Sequence, residues 1–227
     1  MLLREMTAKR RARDKAVLVT GFEPFAGEPV NPSALIAEAL DGRTILGRRV
    51  TGAVLPCVFG ASRAALAKEL SRLRPELVIC VGQAGGRPHI ALERVAINVD
   101  DAPIPDNAGA APIDRAIARR GPVAYWSTLP IKAIVRALAA EGVSAAVSQT
   151  AGTFVCNHVF YGLMHSLRRR RRVRGGFVHV PFLPEQAARA PGAPSMELDR
   201  MTRAIEIVIA TSLSTRRDLR AGAGETH

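Results

Sequence analysis

Long apolar runs are missing from this sequence. None reaches the ~18 residues that a helix needs to cross a bilayer, which excludes a helical membrane span. The N-terminus opens Met-Leu-Leu-Arg and turns basic without an apolar core of secretory length, so the cytoplasm is the expected compartment. Cysteines are few: Cys57, Cys80 and Cys156, an odd number with no CxxC spacing, which argues against a disulfide framework and a zinc ribbon. Aromatic residues make up only 4% and none interleaves with the basic residues, so nucleic acid bound by base stacking is not expected. There is no HExxH, no GxGxxG and no P-loop, hence no metal and no nucleotide cradle in the pattern.

What is present is a chain long enough to bury a sizeable core, 48% hydrophobic and 23% charged over 227 residues. The formal net charge of +12 is not spread evenly: residues 1–15 carry +4 and residues 168–174 carry +6. Two local blocks read as a solvated N-terminal extension and an exposed helix end rather than a basic groove. The expected organisation is a disordered basic extension over residues 1–14, one domain over 15–213, and a polar, frayed tail over 214–227.

Short apolar runs alternate with amphipathic ones. Strands are expected at Lys15–Gly21, Val50–Pro56, Leu77–Val81, Leu92–Val99, Ala145–Ser148 and Phe177–Val180. Helices are expected at Ser33–Leu40, Ala61–Leu73, Ile131–Ala140, Val155–Arg170 and Met196–Ser212, with residues 100–122 a long loop. Strands apolar on both faces, alternating with helices, predict an α/β fold whose sheet is covered by helices on both sides.

In such sheets ligands bind beyond the carboxyl ends of the strands. The strands end in Gly21, Gly82, Gly152, Pro56 or Pro181, and the residues at or past those ends include Phe22, Phe25, Gln83, Glu93, Cys156 and His179. Cys156 is expected at the start of a helix, where the dipole and free N–H groups lower a thiol's pKa and offer donors to an oxyanion. Cys57 and Cys80 read as packing residues. His179 fits either a core histidine near a strand end or a general base. Glu93 fits either a surface ion pair or a carboxylate that orients an imidazole. His158, two residues from Cys156, is expected on another face of the helix. Gly82-Gln-Ala-Gly-Gly86 is glycine-rich and allows close backbone approach to a small ligand.

Four blocks of the chain resemble the pyroglutamyl peptidase type I, or pyrrolidone-carboxylate peptidase, family. They are Val19–Gly27 with Asn31-Pro-Ser33; Val81–Arg87 with Glu93–Asn98 and Ile104–Asn107; Thr128–Ile131 with Thr150–His158; and His179-Val-Pro-Phe182. The resemblance implies a single-domain α/β/α sandwich with a mixed, mostly parallel twisted sheet. It implies a Cys156, His179 and Glu93 triad, and a pocket for the pyroglutamyl ring from Phe22, Phe25, Gln83, Phe154 and Val155. It further implies peptides with N-terminal pyroglutamate as substrates, no cofactor, and a homotetramer. Pro103 stands where the family usually has arginine, Gln149 where asparagine is usual, and Ala91 where a small hydroxyl residue is usual. Three other readings stand beside this one: a nucleoside phosphorylase-like enzyme, hinted at by Gly85-Gly-Arg87; an RNA-associated module using Arg168–Arg172; and an inactive relative that only binds pyroglutamyl peptides.

Overall fold

Three strands carry the apolar runs to the centre of one sheet. Val17–Phe22 (β1), Leu77–Gln83 (β4) and Arg174–Val180 (β9) are buried almost throughout. The computed structural model describes residues 16–170 and 172–224; the extension predicted over residues 1–14, Arg171 of the basic run and residues 225–227 lie outside them. Arg48–Leu55 (β3) runs parallel to β1, and Thr44–Ile45 (β2) adds an antiparallel edge. On the far side, Ile90–Glu93 (β5) runs antiparallel to β9, and Ala145–Ser148 (β8) runs parallel to β5. The order is β2-β3-β1-β4-β9-β5-β8, a mixed and mostly parallel sheet, as the resemblance implies.

Because side chains alternate along a strand, the sheet builds two cores. On one face Val17, Val19, Leu77, Ile79, Val178 and Val180 pack under Pro32–Leu40 (α1), Ile131–Ala140 (α3) and Leu198–Ser214 (α6). On the other, Leu18, Val78, Cys80 and Phe177 pack under Ala61–Leu73 (α2) and Val155–Leu167 (α4). A small antiparallel ribbon, Val95–Ile97 (β6) with Ala124–Trp126 (β7), lies against α4, and Pro184–Ala187 (α5) follows β9. The result is an α/β/α sandwich.

The predicted strand Leu92–Val99 is in fact two strands in two sheets. At Arg94 the chain leaves the main sheet, and Asn157 of α4 takes over: its Oδ1 accepts from Ile97 N at 3.0 Å and its Nδ2 donates to the Ile97 and Val99 carbonyls at 2.9 Å. The predicted helix Val155–Arg170 stops at Leu167, with Arg168 as its C-cap. Part of the tail predicted to fray, residues 218–223, packs back. Asp218 accepts the N–H groups of Lys132 and Ala133, capping α3, which has only Pro130 at its N-cap. The block Asn31-Pro-Ser33 is a latch: Asn31 caps α1 and binds the Glu23 carbonyl, and the Ser33 hydroxyl accepts the Phe22 N–H.

Candidate active site

The face of the sheet under α4 carries an unusual amount of polar chemistry for a core. Along β9, Phe177 and His179 point to this face, and across the antiparallel pair His179 stands opposite Ala91 while Glu93 stands opposite Phe177. Glu93 and His179 are therefore diagonal neighbours, within reach of a long side chain. The bond forms: His179 Nδ1 lies 2.7 Å from Glu93 Oε1. An imidazole that donates Nδ1–H to a carboxylate presents a lone pair at Nε2. Among the described residues nothing hydrogen-bonds that nitrogen.

Glu93 is wholly buried, and Arg87 compensates it. Arg87 Nη1 donates to Glu93 Oε1 at 2.7 Å and to Ser148 Oγ at 3.2 Å, while Nη2 donates to the Thr150 carbonyl at 3.2 Å. Glu93 Oε2 has no hydrogen-bond partner among the described residues.

Cys156 is the second residue of α4. The turn before it passes through Gly152 at φ +76°, a left-handed conformation that favours glycine. The helix has Phe154 at its N-cap and no side-chain cap, so its first N–H groups are not claimed by a capping side chain. The Cys156 sulfur reaches down to β4: a Cβ on Gly82 would fall 3.0 Å from Sγ and 2.8 Å from the Phe177 ring. Gly82 is the register partner of His179. Only glycine leaves room there for the sulfur above the β4–β9 pair.

The electrostatics of the thiol differ from the expectation of a lowered pKa. Burial pushes the Cys156 thiol up, the neighbouring Cys57 and Glu93 push the same way, and Arg87 opposes them. Desolvation is the largest cause and favours the neutral thiol, although Cys156 keeps partial solvent exposure. Cys57 and Cys80 are also pushed up, each to about 12 and chiefly by burial, consistent with packing residues.

A second histidine–carboxylate pair lies nearby and differs in one respect. His158 Nδ1 contacts both Asp100 oxygens at 2.9 and 3.0 Å, and its Nε2 accepts the Gly60 N–H at 3.0 Å. Both nitrogens are used, so His158 fastens α4 to the turn before α2 and has no lone pair to spare.

Of the five residues expected around the substrate, Phe25 and Phe154 are half-buried and face each other with ring centroids 6.1 Å apart. Phe59, which the sequence did not single out, meets Phe154 edge-on at 5.4 Å. Phe22 is closed into the core against Phe177, and Val155 is fully buried. Gln83 Oε1 accepts from Gln186 Nε2 at 2.9 Å. Arg87, Ser148 and Thr150 were also missed as site residues. Arg87 and Thr150 do lie in the blocks that carry the family resemblance, but without an assigned role, and Arg87 reads from pattern only as a phosphate hint. Its carboxylate partner removes that reading. Arg169, Arg170 and Arg172 line a cleft of about 700 Å³ with Arg74, where β4 and β9 begin; His179 lies near the other end of β9. Among the described residues no group of three or more His, Cys, Asp or Glu side chains could hold a metal.

The profile of the pyroglutamyl peptidase family matches residues 15–215. The chain belongs to the pyroglutamyl peptidase family. It is 59% identical over 213 residues to a pyrrolidone-carboxylate peptidase of Cupriavidus taiwanensis, covering 93% of this chain and 99% of the relative. The corresponding protein of Cupriavidus pinatubonensis is 60% identical over 215 residues, covering 94% and 100%. Among solved structures, pyroglutamyl peptidase I of Bacillus amyloliquefaciens is 48% identical with a TM-score of 0.88, covering 90% of this chain and 100% of that one. A variant of the pyrrolidone carboxyl peptidase of Pyrococcus furiosus is 42% identical with a TM-score of 0.85, covering 87% and 98%. This pyroglutamyl peptidase family member thus shares sequence and fold with peptidases along nearly its whole described length.

Proposed function

We propose that this chain hydrolyses the peptide bond after an N-terminal pyroglutamyl residue, with Cys156 as nucleophile, His179 as acid and base, and Glu93 as the residue that orients the imidazole. The observation that carries the proposal is the 2.7 Å bond from His179 Nδ1 to buried Glu93, which leaves Nε2 unbonded beside the strand pair over which the Cys156 sulfur lies. Membership of the family supports the substrate class.

The chemistry follows from those atoms. His179 Nε2 takes the thiol proton as Sγ attacks the carbonyl that joins pyroglutamate to the next residue, so the buried thiol need not ionise beforehand. Glu93 stabilises the imidazolium that forms. The negative oxygen of the tetrahedral intermediate is a partner for the uncapped N–H groups at the start of α4. As the intermediate collapses, His179 returns its proton to the departing amine and leaves a thioester on Cys156. Water, deprotonated by the same nitrogen, then releases pyroglutamate.

Recognition has to use a flat lactam, since pyroglutamate has no free amine. Phe25 and Phe154 suit the ring, with Phe22 and Val155 beneath, and backbone groups near Gln83 and Phe154 suit the lactam N–H and C=O. A homotetramer and a cytoplasmic location complete the proposal. Light scattering of the purified chain measures the first, and the exposed Val123 and Trp126 beside the small ribbon are consistent with an interface.

Fluorophore release from a pyroglutamyl amide tests the reaction, with prolyl and alanyl amides as controls. Wild type is expected to cleave only the pyroglutamyl amide, and Cys156→Ser to lose about 10⁴-fold or more in kcat. Equal rates in the two proteins would contradict the assignment.

A further inference from the structure

Arg87 has no step in the reaction proposed above, yet its guanidinium joins three parts of the site. It donates to Glu93 Oε1 on β5, to Ser148 Oγ at the end of β8, and to the Thr150 carbonyl in the turn that leads to Cys156. Ser148 Oγ in turn donates to the same Thr150 carbonyl at 3.0 Å. One planar cation therefore spans the carboxylate and the approach to the nucleophile's helix. Only a guanidinium has donors spread widely enough for this.

Glu93 needs such a partner. A carboxylate with no solvent exposure and one oxygen unbonded is costly to keep charged. With Arg87 and His179 both on Oε1, the charge is concentrated on the oxygen that faces the imidazole.

We infer that Arg87 is a positioning residue of this site: it holds Glu93 Oε1 on His179, and it ties the Ser148–Thr150 turn ahead of Cys156 to that same carboxylate. The inference rests on the triad reading above. The charged and titratable groups that face the Cys156–His179 pair are Arg87 and Glu93, with the thiols of Cys57 and Cys80 behind them. Arg87 is the cation in this set that favours the thiolate.

Steady-state kinetics of full-length Arg87→Met and Arg87→Lys on a pyroglutamyl amide between about pH 5 and 10, with Cys156→Ser alongside, test the idea. In Arg87→Met, kcat is expected to fall about 10²-fold with KM little changed. Both limbs of kcat/KM should move to higher pH by about one unit, because removing a cation favours the protonated imidazole and the protonated thiol alike. Arg87→Lys keeps the charge but not the fork, so its limbs should stay near those of wild type while kcat falls. Wild-type kcat in Arg87→Met, or a reduced kcat with unmoved limbs, would make Arg87 a packing residue and overturn the inference. So would limbs displaced by a full unit in Arg87→Lys, the variant that decides if Arg87→Met does not fold. Retained activity in Cys156→Ser sinks the triad itself, whatever the Arg87 variants do.

Discussion

Two histidines among the described residues hold a buried carboxylate, and they are told apart by the far side of the ring. His158 gives Nδ1 to Asp100 and fills Nε2 with the Gly60 N–H, whereas His179 gives Nδ1 to Glu93 and keeps Nε2. A fully satisfied imidazole is a strut; one that keeps a lone pair is free to take a proton, the role proposed above for His179. Burial pushes the Cys156 thiol toward its neutral form, with Cys57 and Glu93 adding to the effect. Alkylation of the free protein at Cys156 by neutral iodoacetamide should therefore be slow at pH 7. It should keep rising with pH past the range of an ordinary thiol, about 8.5. A rate already at its plateau between about pH 6 and 8 would show a preformed thiolate and contradict the neutral resting state. Cys156 was legible as a candidate from its place after Gly152 at a helix start. That burial would push its pKa up was not, because the Phe177 ring and the β4 backbone beside it come from distant segments.

At the scale of elements, local signals went far where local physics decides. Helices α2 and α3 and strand β8 begin and end where the sequence pattern put them, since Gly60, Pro75, Pro130 and Gly142 mark breaks on either side. The split at Arg94 was not legible, because it depends on Asn157 of α4 binding Ile97 and Val99. The meeting of Glu93 with His179 was not legible from pattern either: it follows from β5 running antiparallel to β9, a register with no local signal. The block Pro105-Asp106-Asn107 turns out to be an element joint. Asp106 accepts the N–H groups of Phe59, Ala108 and Ala110, and Asn107 binds Glu23 and the Pro24 carbonyl. Burial works against the Asp106 charge, but these backbone donors overcome it and hold the carboxyl below its usual value. A depressed carboxylate stabilises the fold above its unfolded pKa and loses that contribution as pH falls through the folded one. Asp106→Asn should therefore cost about 1–3 kcal/mol near pH 7 in thermal or urea unfolding. The gap to wild type should close as both are acidified below the ordinary carboxylate range; a gap independent of pH would contradict the account.

At the scale of the molecule, the described residues of the 168–174 basic run lie apart from the candidate site. Arg169, Arg170 and Arg172 lie by the amino end of β9, and His179 with its Glu93 partner lies toward the carboxyl end, so one strand connects a basic surface to the candidate site without bringing them together. The α/β/α layering was legible because apolar strands alternated with helices, and it is this layering that gathers a buried carboxylate, a buried imidazole and a partly buried thiol on one face. The central claim is that these three, from residues 93, 156 and 179, act as one unit through a covalent intermediate on sulfur. Rapid-quench mass spectrometry during turnover of an activated pyroglutamyl ester reads this directly. The account predicts a pyroglutamyl adduct on the peptide that contains Cys156, absent in Cys156→Ser. Turnover with no adduct, or an adduct mapped to Cys57 or Cys80, would contradict it.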